Sequence, residues 1–325
     1  MIDPLARWRR FGEKPDFAGL LTYGGQPYTE DPAELAEADI AIVGAPTDDL
    51  VSDRQGARYG PRAIRAASCP AGPHLGTGVD ALEELRVVDF GDAPVLPADA
   101  VASQRAIEET VAQVVSAGVI PVILGGDHSI TEADVRACAA GRPVGLVHFD
   151  THTDTGTEVF GVELSHGTPM YKLVEAGLVD PQRYVQIGLR GYWPGEKEFS
   201  WQRERGNRSF FMHDIRERGI GAVVEEALTG LGPGPVFLTV DIDVLDPAFA
   251  PGTGTPEPGG MTTGDLLWAC REIASRIELV GADVVEVIPT AVGSADITAL
   301  AADRIVREIL TGFVLARRAA SLSAE

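Results

Sequence analysis

Short apolar runs alternate along the chain with longer segments in which apolar residues recur at helical spacing. The strand-like runs occupy residues 39–45, 86–90, 119–124, 144–149, 183–188, 208–212, 236–241 and 280–287. The helical segments occupy residues 100–117, 129–139, 167–177, 214–230, 263–276 and 296–318. Runs that are apolar at consecutive positions indicate strands that are buried on both faces. The pattern therefore predicts an α/β fold of three layers, with helices on both sides of a mostly parallel sheet of about eight strands.

Boundary residues agree with this division. Gly60 and Pro61 are typical of a helix that starts after a loop, and Gly118 is typical of a helix end before the third strand. No low-complexity linker or internal repeat interrupts the 325 residues. We therefore expect a single domain over residues 39–320, with residues 1–38 as an irregular N-terminal segment over the body or at a subunit contact.

The composition excludes several classes of partner. The formal net charge is −21, whereas nucleic acids and anionic membranes bind proteins that present a basic surface. The same charge favours a cationic substrate by electrostatic steering. The three cysteines stand far apart, which is typical of reduced thiols. The N-terminus has no apolar signal region and no run approaches the ~20 residues of a membrane span, so we expect a cytoplasmic protein.

Carboxylates and imidazoles follow several of the predicted strands. His128 follows the run 119–124, Asp150, His152 and Asp154 follow 144–149, Asp241 and Asp243 follow 236–241, and Glu286 lies near the end of 280–287. Alternate residues along a strand point to the same face. Because ligands of open α/β sheets bind beyond the carboxyl ends of the strands, we expect these side chains to meet in one crevice.

A divalent metal centre explains these residues better than loop caps do. A lone Asp-x-His or Asp-x-Asp is most often a cap or a solvated turn, but here the acids follow buried strands. Buried charges of one sign need a counter-ion, and neither motif contains a lysine or an arginine. Four carboxylates and two imidazoles exceed one tetrahedral site and suit two ions that share bridging carboxylates. Since metal binding makes water a usable nucleophile near neutral pH, the sequence predicts a two-metal hydrolase.

These motifs resemble those of the ureohydrolases, the arginase and agmatinase family. The segments that carry the resemblance are GGDHS at 125–129, FDTHTDT at 149–155, SHGTP at 165–169 and DIDVLDPAFAPGTGTPEPGG at 241–260, with GARYGPRAIR at 56–65 and VVEV at 284–287. The similarity runs from about residue 40 to about residue 310. The 241–260 segment is more similar to the agmatinase and guanidinobutyrase branch than to arginase itself.

The resemblance implies two Mn²⁺ ions in each subunit. His128, Asp150, Asp154 and Asp241 would hold one ion, and Asp150, His152, Asp241 and Asp243 would hold the other, so that Asp150 and Asp241 bridge. Carboxylate-rich ligation without thiolate suits a hard ion such as Mn²⁺, while the two imidazoles also permit nickel, zinc or iron.

The resemblance also implies the reaction and three catalytic residues. The substrate would be a small cationic guanidino compound, hydrolysed to urea and an amine. Asp154 would hold the hydrogen of the attacking water, His166 would be a mobile acid–base group, and Glu286 would bind the substrate guanidinium. The alternative interpretations are a surface-loop histidine for His166 and a buried ion pair with arginine for Glu286.

Candidates for the pocket around the substrate tail are Glu158, Phe160 and Trp193. Glu158 would favour the amine tail of agmatine, whereas Arg190 or Arg208 would favour the carboxylate tail of 4-guanidinobutyrate. We expect agmatine, cleaved to putrescine, as the main substrate, with a guanidino acid as the alternative. The effect of Val292, which stands where the family usually has aspartate, is open.

Two other classes of protein fit part of the pattern. Binuclear metallophosphoesterases also combine Asp, His and bridging metals, but the first strand here ends in Gly44-Ala45-Pro46 without a ligand. An inactive metal-binding homologue is disfavoured because all six ligand positions are intact. The family resemblance further implies a homo-oligomer, either a hexamer or a trimer.

Overall fold

Eight strands form the centre of the protein. The structure is a computed structural model and describes residues 1–11, 14–15, 17–68, 72–192, 195–290 and 296–323. The strands are β1 (Ile40–Ala45), β2 (Val87–Asp92), β3 (Ile120–Gly125), β4 (Val144–Phe149), β5 (Val179–Leu189), β6 (Arg208–Phe211), β7 (Pro235–Asp241) and β8 (Glu278–Val285). Each corresponds to one of the apolar runs in the sequence, so the predicted strands are confirmed.

The strands pair in the order β2-β1-β3-β8-β7-β4-β5-β6. Every pair within this sheet is parallel, so the sheet is more regular than the mostly parallel sheet predicted from the sequence. Parallel strands need crossover connections, and helices supply most of these.

Helices cover both faces of the sheet, which confirms the three-layer prediction. Their bounds are α1 (Gly60–Ala67), α2 (Ala81–Glu84), α3 (Ala100–Ser116), α4 (Ile130–Ala139), α5 (Pro169–Glu175), α6 (Glu196–Arg205), α7 (Met212–Arg218), α8 (Ile220–Leu231), α9 (Thr263–Ala274) and α10 (Ile297–Ser323). Buried residues of α1, α2 and α7 to α10 pack on one face of the sheet, and residues of α3 to α6 pack on the other.

Two helix predictions need correction. The segment 214–230 is two helices and not one, because Gly219 adopts φ +80 and interrupts the chain between α7 and α8. Helix α6 was not predicted, since its sequence is mostly polar and only Gln202 is buried, so it lacks a regular apolar stripe.

The sheet order explains why the polar clusters converge. The strands β3, β8, β7 and β4 are consecutive neighbours in the sheet, and His128, Glu286, Asp241 and Asp150 lie at or just beyond their carboxyl ends. Residues that are far apart in sequence therefore line one crevice at the edge where α/β sheets bind ligands.

The N-terminal segment lies along the outer edge of the sheet beside β2. Ile2 pairs with Tyr28 in an antiparallel bridge, and Tyr28 pairs in turn with Asp89. The backbone N–H of the fully buried Tyr23 donates to Asp89 Oδ2 at 2.7 Å, and the Arg65 guanidinium donates to both oxygens of the same carboxylate. Among the described residues no helix combines the length and the apolar character needed to cross a bilayer.

Candidate metal centre

His128 faces three carboxylates at the centre of the crevice. Its Nδ1 atom lies 3.1 Å from Asp150 Oδ2, 2.9 Å from Asp154 Oδ2 and 3.2 Å from Asp241 Oδ2. The three acids come from the ends of β4 and β7, and His128 follows β3. The structure thus brings together the four residues predicted to hold the first ion.

The arrangement fits a metal ion better than a set of hydrogen bonds. Within the described part of the chain, Nδ1 of the fully buried His128 has no well-directed hydrogen-bond partner, although three acceptors surround it. In an octahedral site with bonds of about 2.1 Å, neighbouring ligand atoms are about 3 Å apart. An imidazole nitrogen and three carboxylate oxygens at this separation match one hard divalent cation.

Asp150 also belongs to a second group of ligand atoms. His152 Nδ1 lies 3.4 Å from Asp150 Oδ1 and 3.1 Å from Asp243 Oδ2. Asp241 Oδ1 accepts a hydrogen bond from Asp243 N at 2.8 Å, which fixes the turn between the last two acids. Asp150, His152 and Asp243 could hold a second ion, with Asp150 shared between the two.

The electrostatics of the cluster also favour bound cations. Burial and the neighbouring charges of Asp243 and Asp150 raise the pKa of Asp241 well above its usual value. Burial also tends to raise the pKa of Asp150, but the neighbouring imidazoles of His128, His148 and His152 hold it well below its usual value. Divalent ions would relieve the mutual repulsion of these carboxylates.

Two of the acids have unusual backbone conformations. Asp154 adopts φ 49 and Glu286 adopts φ 62, in the left-handed region that side chains other than glycine rarely occupy. Such strain persists only where surrounding contacts enforce it, and it is concentrated at functional sites. Asp154 is itself a candidate metal ligand, and Glu286 accepts from the backbone N–H of another, His128.

One carboxylate oxygen of Glu286 has no partner among the residues that the structure describes. Its Oε1 accepts from His128 N at 3.0 Å and lies 3.0 Å from His166 Nδ1, whereas no described group hydrogen-bonds to the buried Oε2. A Cβ atom on Gly254 would lie 3.5 Å from this oxygen, so glycine leaves space beside it. The predicted alternative, an ion pair with arginine, is not observed among the described residues.

His166 is held between Glu286 and the loop that follows β1. Its Nε2 lies 2.8 Å from Ser52 Oγ and 3.1 Å from Ser52 N. Burial lowers the pKa of His166, but the hydrogen bond and the charge of Glu286 outweigh it and raise the pKa to about 9. The neutral ring can accept from Ser52 N–H, and the charged ring can donate to Ser52 Oγ. His166 can therefore change protonation state without losing its partners, as an acid–base group must.

The predicted tail-pocket residues are only partly within the described structure. Glu158 is exposed in the loop after Asp154, and Phe160 is 88% exposed. Trp193 and Val292 lie outside the described residues. The position of Glu158 leaves it accessible to a ligand that enters from solvent.

The two arginines considered for a carboxylate tail do not face the crevice with a free guanidinium. Arg190 donates to backbone carbonyls of the metal-ligand loop, including Asp243 O at 2.8 Å and Glu257 O at 2.6 Å. Arg208 begins β6 and packs against Gly230, at the opposite end of the sheet. Both predictions are wrong. The Arg190 guanidinium is engaged by backbone carbonyls, and Arg208 lies at the start of its strand, away from the carboxyl ends that form the crevice.

A different arginine stands beside the crevice. Arg54 is exposed in the loop that also carries Ser52, and a Cβ atom on Gly254 would lie 3.2 Å from its carbonyl oxygen. Gly254 thus separates the Arg54 backbone from Glu286. Within the described part of the chain, no ion pair or side-chain hydrogen bond involves the Arg54 guanidinium.

Sequence reasoning missed several polar residues beneath the ligands. His148 Nε2 lies 2.8 Å from Asp150 Oδ2, and Thr239 Oγ1 lies 3.0 Å from His128 Nε2. Both residues lie inside strands. A single polar residue within an apolar run does not by itself indicate a role at the site. The period of two along β4, which puts His148 on the same side as Asp150, could have identified the first of them.

Comparison with known proteins identifies a single family. The model of the arginase family matches residues 38–312. A guanidinopropionase of Pseudomonas aeruginosa is 44% identical over 92% of this chain and 93% of its own length. An agmatinase of Chromobacterium violaceum is 38% identical over 90% of this chain and 88% of its own length. The solved structure of proclavaminate amidino hydrolase from Streptomyces clavuligerus superposes with a TM-score of 0.87, at 35% identity, over 93% of this chain and all of that one.

Proposed function

Because the chain belongs to the arginase family, we propose that it hydrolyses the guanidinium group of a small guanidino compound to urea and an amine, using two Mn²⁺ ions. The observation that carries the proposal is the buried cluster of imidazoles and carboxylates beside Glu286 Oε2, an acceptor without a partner. The cluster of buried carboxylates requires cations, and the free acceptor Oε2 of Glu286 suits the N–H groups of a guanidinium.

We propose the ligand sets expected from the family. His128, Asp150, Asp154 and Asp241 hold one ion, and Asp150, His152, Asp241 and Asp243 hold the other. The 2.9–3.2 Å spacing of carboxylate oxygens around His128 Nδ1 supports the first set. When bound, the ions supply a nucleophilic water at neutral pH and offset the charge of the carboxylates.

The protein's own side chains orient the substrate and move protons. Glu286 Oε2 accepts from the guanidinium and holds its carbon above the cluster. Asp154 accepts the hydrogen of the attacking water, and the charged His166 supplies a proton to the departing amine. Since Glu286 also contacts His166 Nδ1, one carboxylate aligns both the substrate and the proton donor.

The substrate tail should carry one charge. An amine tail, as in agmatine, is our first candidate, because Glu158 is exposed in the loop that follows Asp154 and the net charge of −21 steers cations. A carboxylate tail is the second candidate. The unpartnered Arg54 favours it, as does the higher identity to the guanidinopropionase, 44%, than to the agmatinase, 38%. We further propose, from the family resemblance alone, a cytoplasmic homo-oligomer, either a hexamer or a trimer.

The reaction is tested by removing and restoring the metal. Chelator treatment should reduce urea release to background, because the cluster would lose the source of its nucleophile, and Mn²⁺ should restore it. Guanidino compounds with amine, carboxylate and amino-acid tails should be assayed with matched metal loading, and elemental analysis should find two ions per subunit. If reloaded protein releases no urea from any of them, the proposed reaction is wrong.

The tail charge is tested by neutralising one residue at a time. If the tail is an amine, Glu158→Gln should lower kcat/KM for agmatine at least ~10-fold, about 1.4 kcal/mol, and Arg54→Gln should not. If it is a carboxylate, Arg54→Gln should lower kcat/KM for 3-guanidinopropionate or 4-guanidinobutyrate and Glu158→Gln should not. Arginine, with two tail charges, should be at least ~100-fold poorer than the best substrate.

A matched control for these variants is Arg62→Gln, an exposed arginine on α1. It should change no selectivity ratio. Equal effects of the Glu158 and Arg54 variants on both tails, or arginine as the preferred substrate, would show that other residues form the pocket.

A further inference from the structure

A row of polar side chains crosses five strands of the sheet beneath the metal centre. In strand order from β6 to β8 it consists of Ser209, Gln186, His148, Thr239 and Asp283, each in register with the next. Residues in register on parallel strands point to the same face of the sheet. All but Ser209 are completely buried, on the face covered by the apolar residues of α3 to α5. Burial of so many polar groups is costly unless each is hydrogen-bonded, so their partners indicate what they do.

One half of the row ends on Asp150. Gln186 Nε2 donates to Thr153 O at 2.7 Å, which fixes the orientation of its amide, and lies 3.0 Å from His148 Nδ1. The Tyr184 hydroxyl lies 3.1 Å from the same ring nitrogen. Because Nδ1 of His148 faces these donors, the ring proton belongs on Nε2, which donates to Asp150 Oδ2 at 2.8 Å.

The other half of the row ends on His128. The Thr131 hydroxyl donates to Asp283 Oδ2 at 2.8 Å, and its oxygen lies 3.5 Å from Thr239 Oγ1. Thr239 Oγ1 lies 3.0 Å from His128 Nε2, where the hydroxyl oxygen can accept the proton of that ring nitrogen. The Nδ1 atom of His128 then keeps its lone pair, which points at the carboxylates of Asp150, Asp154 and Asp241.

We propose that this row positions two metal ligands, with Thr239 fixing the tautomer and orientation of His128 and with His148 fixing the shared carboxylate of Asp150. The inference rests on the proposed pair of ions and not on the identity of the substrate. It follows from the partners on both sides: Thr239 Oγ1 is placed to accept from His128 Nε2, and the Gln186 amide group donates towards His148 Nδ1, which leaves the proton of His148 on Nε2. Partners of this kind set metal affinity by about 10- to 100-fold in other metal sites.

The two halves make different predictions for metal binding. Thr239→Val has nearly the same shape but lacks the hydroxyl, so it should weaken the ion held by His128 by about 10- to 100-fold and leave the other ion unchanged. His148→Phe should weaken both ions, because Asp150 belongs to both ligand groups. Calorimetric titration of metal-free protein with Mn²⁺, together with elemental analysis at fixed free Mn²⁺, measures the two affinities without any substrate.

Matched variants separate positioning from folding. Thr239→Ser keeps the hydroxyl and should restore wild-type metal affinity. Thr110→Val removes a buried hydroxyl on α3 whose one partner among the described residues is Ala106 O, and should leave both affinities unchanged. The thermal unfolding midpoint of metal-free Thr239→Val should match that of the Thr110→Val control.

Three results would overturn the inference. They are wild-type affinity for both ions in Thr239→Val, no rescue by Thr239→Ser, and a loss of stability in metal-free Thr239→Val that accounts for its weaker binding. Wild-type protein that binds no metal would instead refute the proposed centre, so the two failures are distinguishable. If His148→Phe does not fold, the three Thr variants still decide the matter.

Discussion

Replacing Asp150 with asparagine should leave the protein with fewer than two metal ions per subunit and reduce urea release to near background. The carboxylate approaches His128 with Oδ2 and His152 with Oδ1, so each oxygen serves a different group of ligands. An amide retains one oxygen and carries no charge, which removes a ligand from one ion and weakens the other. We expect kcat to fall at least ~10³-fold, about 4 kcal/mol of transition-state stabilisation. Elemental analysis and steady-state urea release measure the two effects.

The control for this substitution is another buried aspartate outside the crevice. Asp303 on α10 is fully buried near Tyr23, and Asp303→Asn should keep two ions and wild-type activity per folded subunit. An Asp150→Asn protein with two tightly bound ions would show that the shared ligand is another residue. Asp241 would then be the first alternative, since its Oδ2 is also within 3.2 Å of His128 Nδ1.

Most of the fold could be predicted because the central strands are buried on both faces. Continuous apolar runs such as those of β4 and β7 are hard to place anywhere except inside a parallel sheet. Helix α6 has no comparable hydrophobic pattern, because only Gln202 is buried in it. The break between α7 and α8 is set by the backbone conformation of Gly219 and not by hydropathy. The strand order could not be predicted from the hydrophobic pattern, because the apolar runs of β7 and β8 do not indicate that these two strands insert between β3 and β4.

The convergence of the candidate metal ligands was predictable for a different reason. Acids that directly follow buried strands need cations, and the carboxyl ends of parallel strands share one edge. Partners of a charged group were not predictable. Arg190 lies next to β5, yet its guanidinium binds backbone carbonyls of the 241–246 turn. Arg54, which has no side-chain partner among the described residues, comes from a loop after β1. Such pairings depend on which backbone groups the fold leaves unsatisfied, and the sequence does not reveal them.

The geometry of Glu286 allows a substitution that separates substrate binding from metal binding. Its carboxylate is 1% exposed, and its Oε1 is already engaged by His128 N and His166 Nδ1. In Glu286→Gln the amide oxygen must stay at that position, because an NH₂ group there would face the N–H of His128. The amide nitrogen is then forced into the position of Oε2. There it would face the N–H groups of the guanidinium, and because both groups are donors no hydrogen bond could form.

We therefore expect Glu286→Gln to bind two ions like the wild type but to lose at least ~10³-fold in kcat/KM, about 4 kcal/mol, on every guanidino substrate. The loss combines a charge-assisted hydrogen bond with the loss of the Glu286 charge that raises the pKa of His166, so it should not depend on the substrate tail. Glu308→Gln is the matched control, since Glu308 is also buried but pairs with Arg271. It should retain wild-type kcat/KM. If Glu286→Gln kept its activity within ~10-fold, or if it lost metal instead, the guanidinium would have to be held by another group, and the unpartnered oxygen would have a structural role.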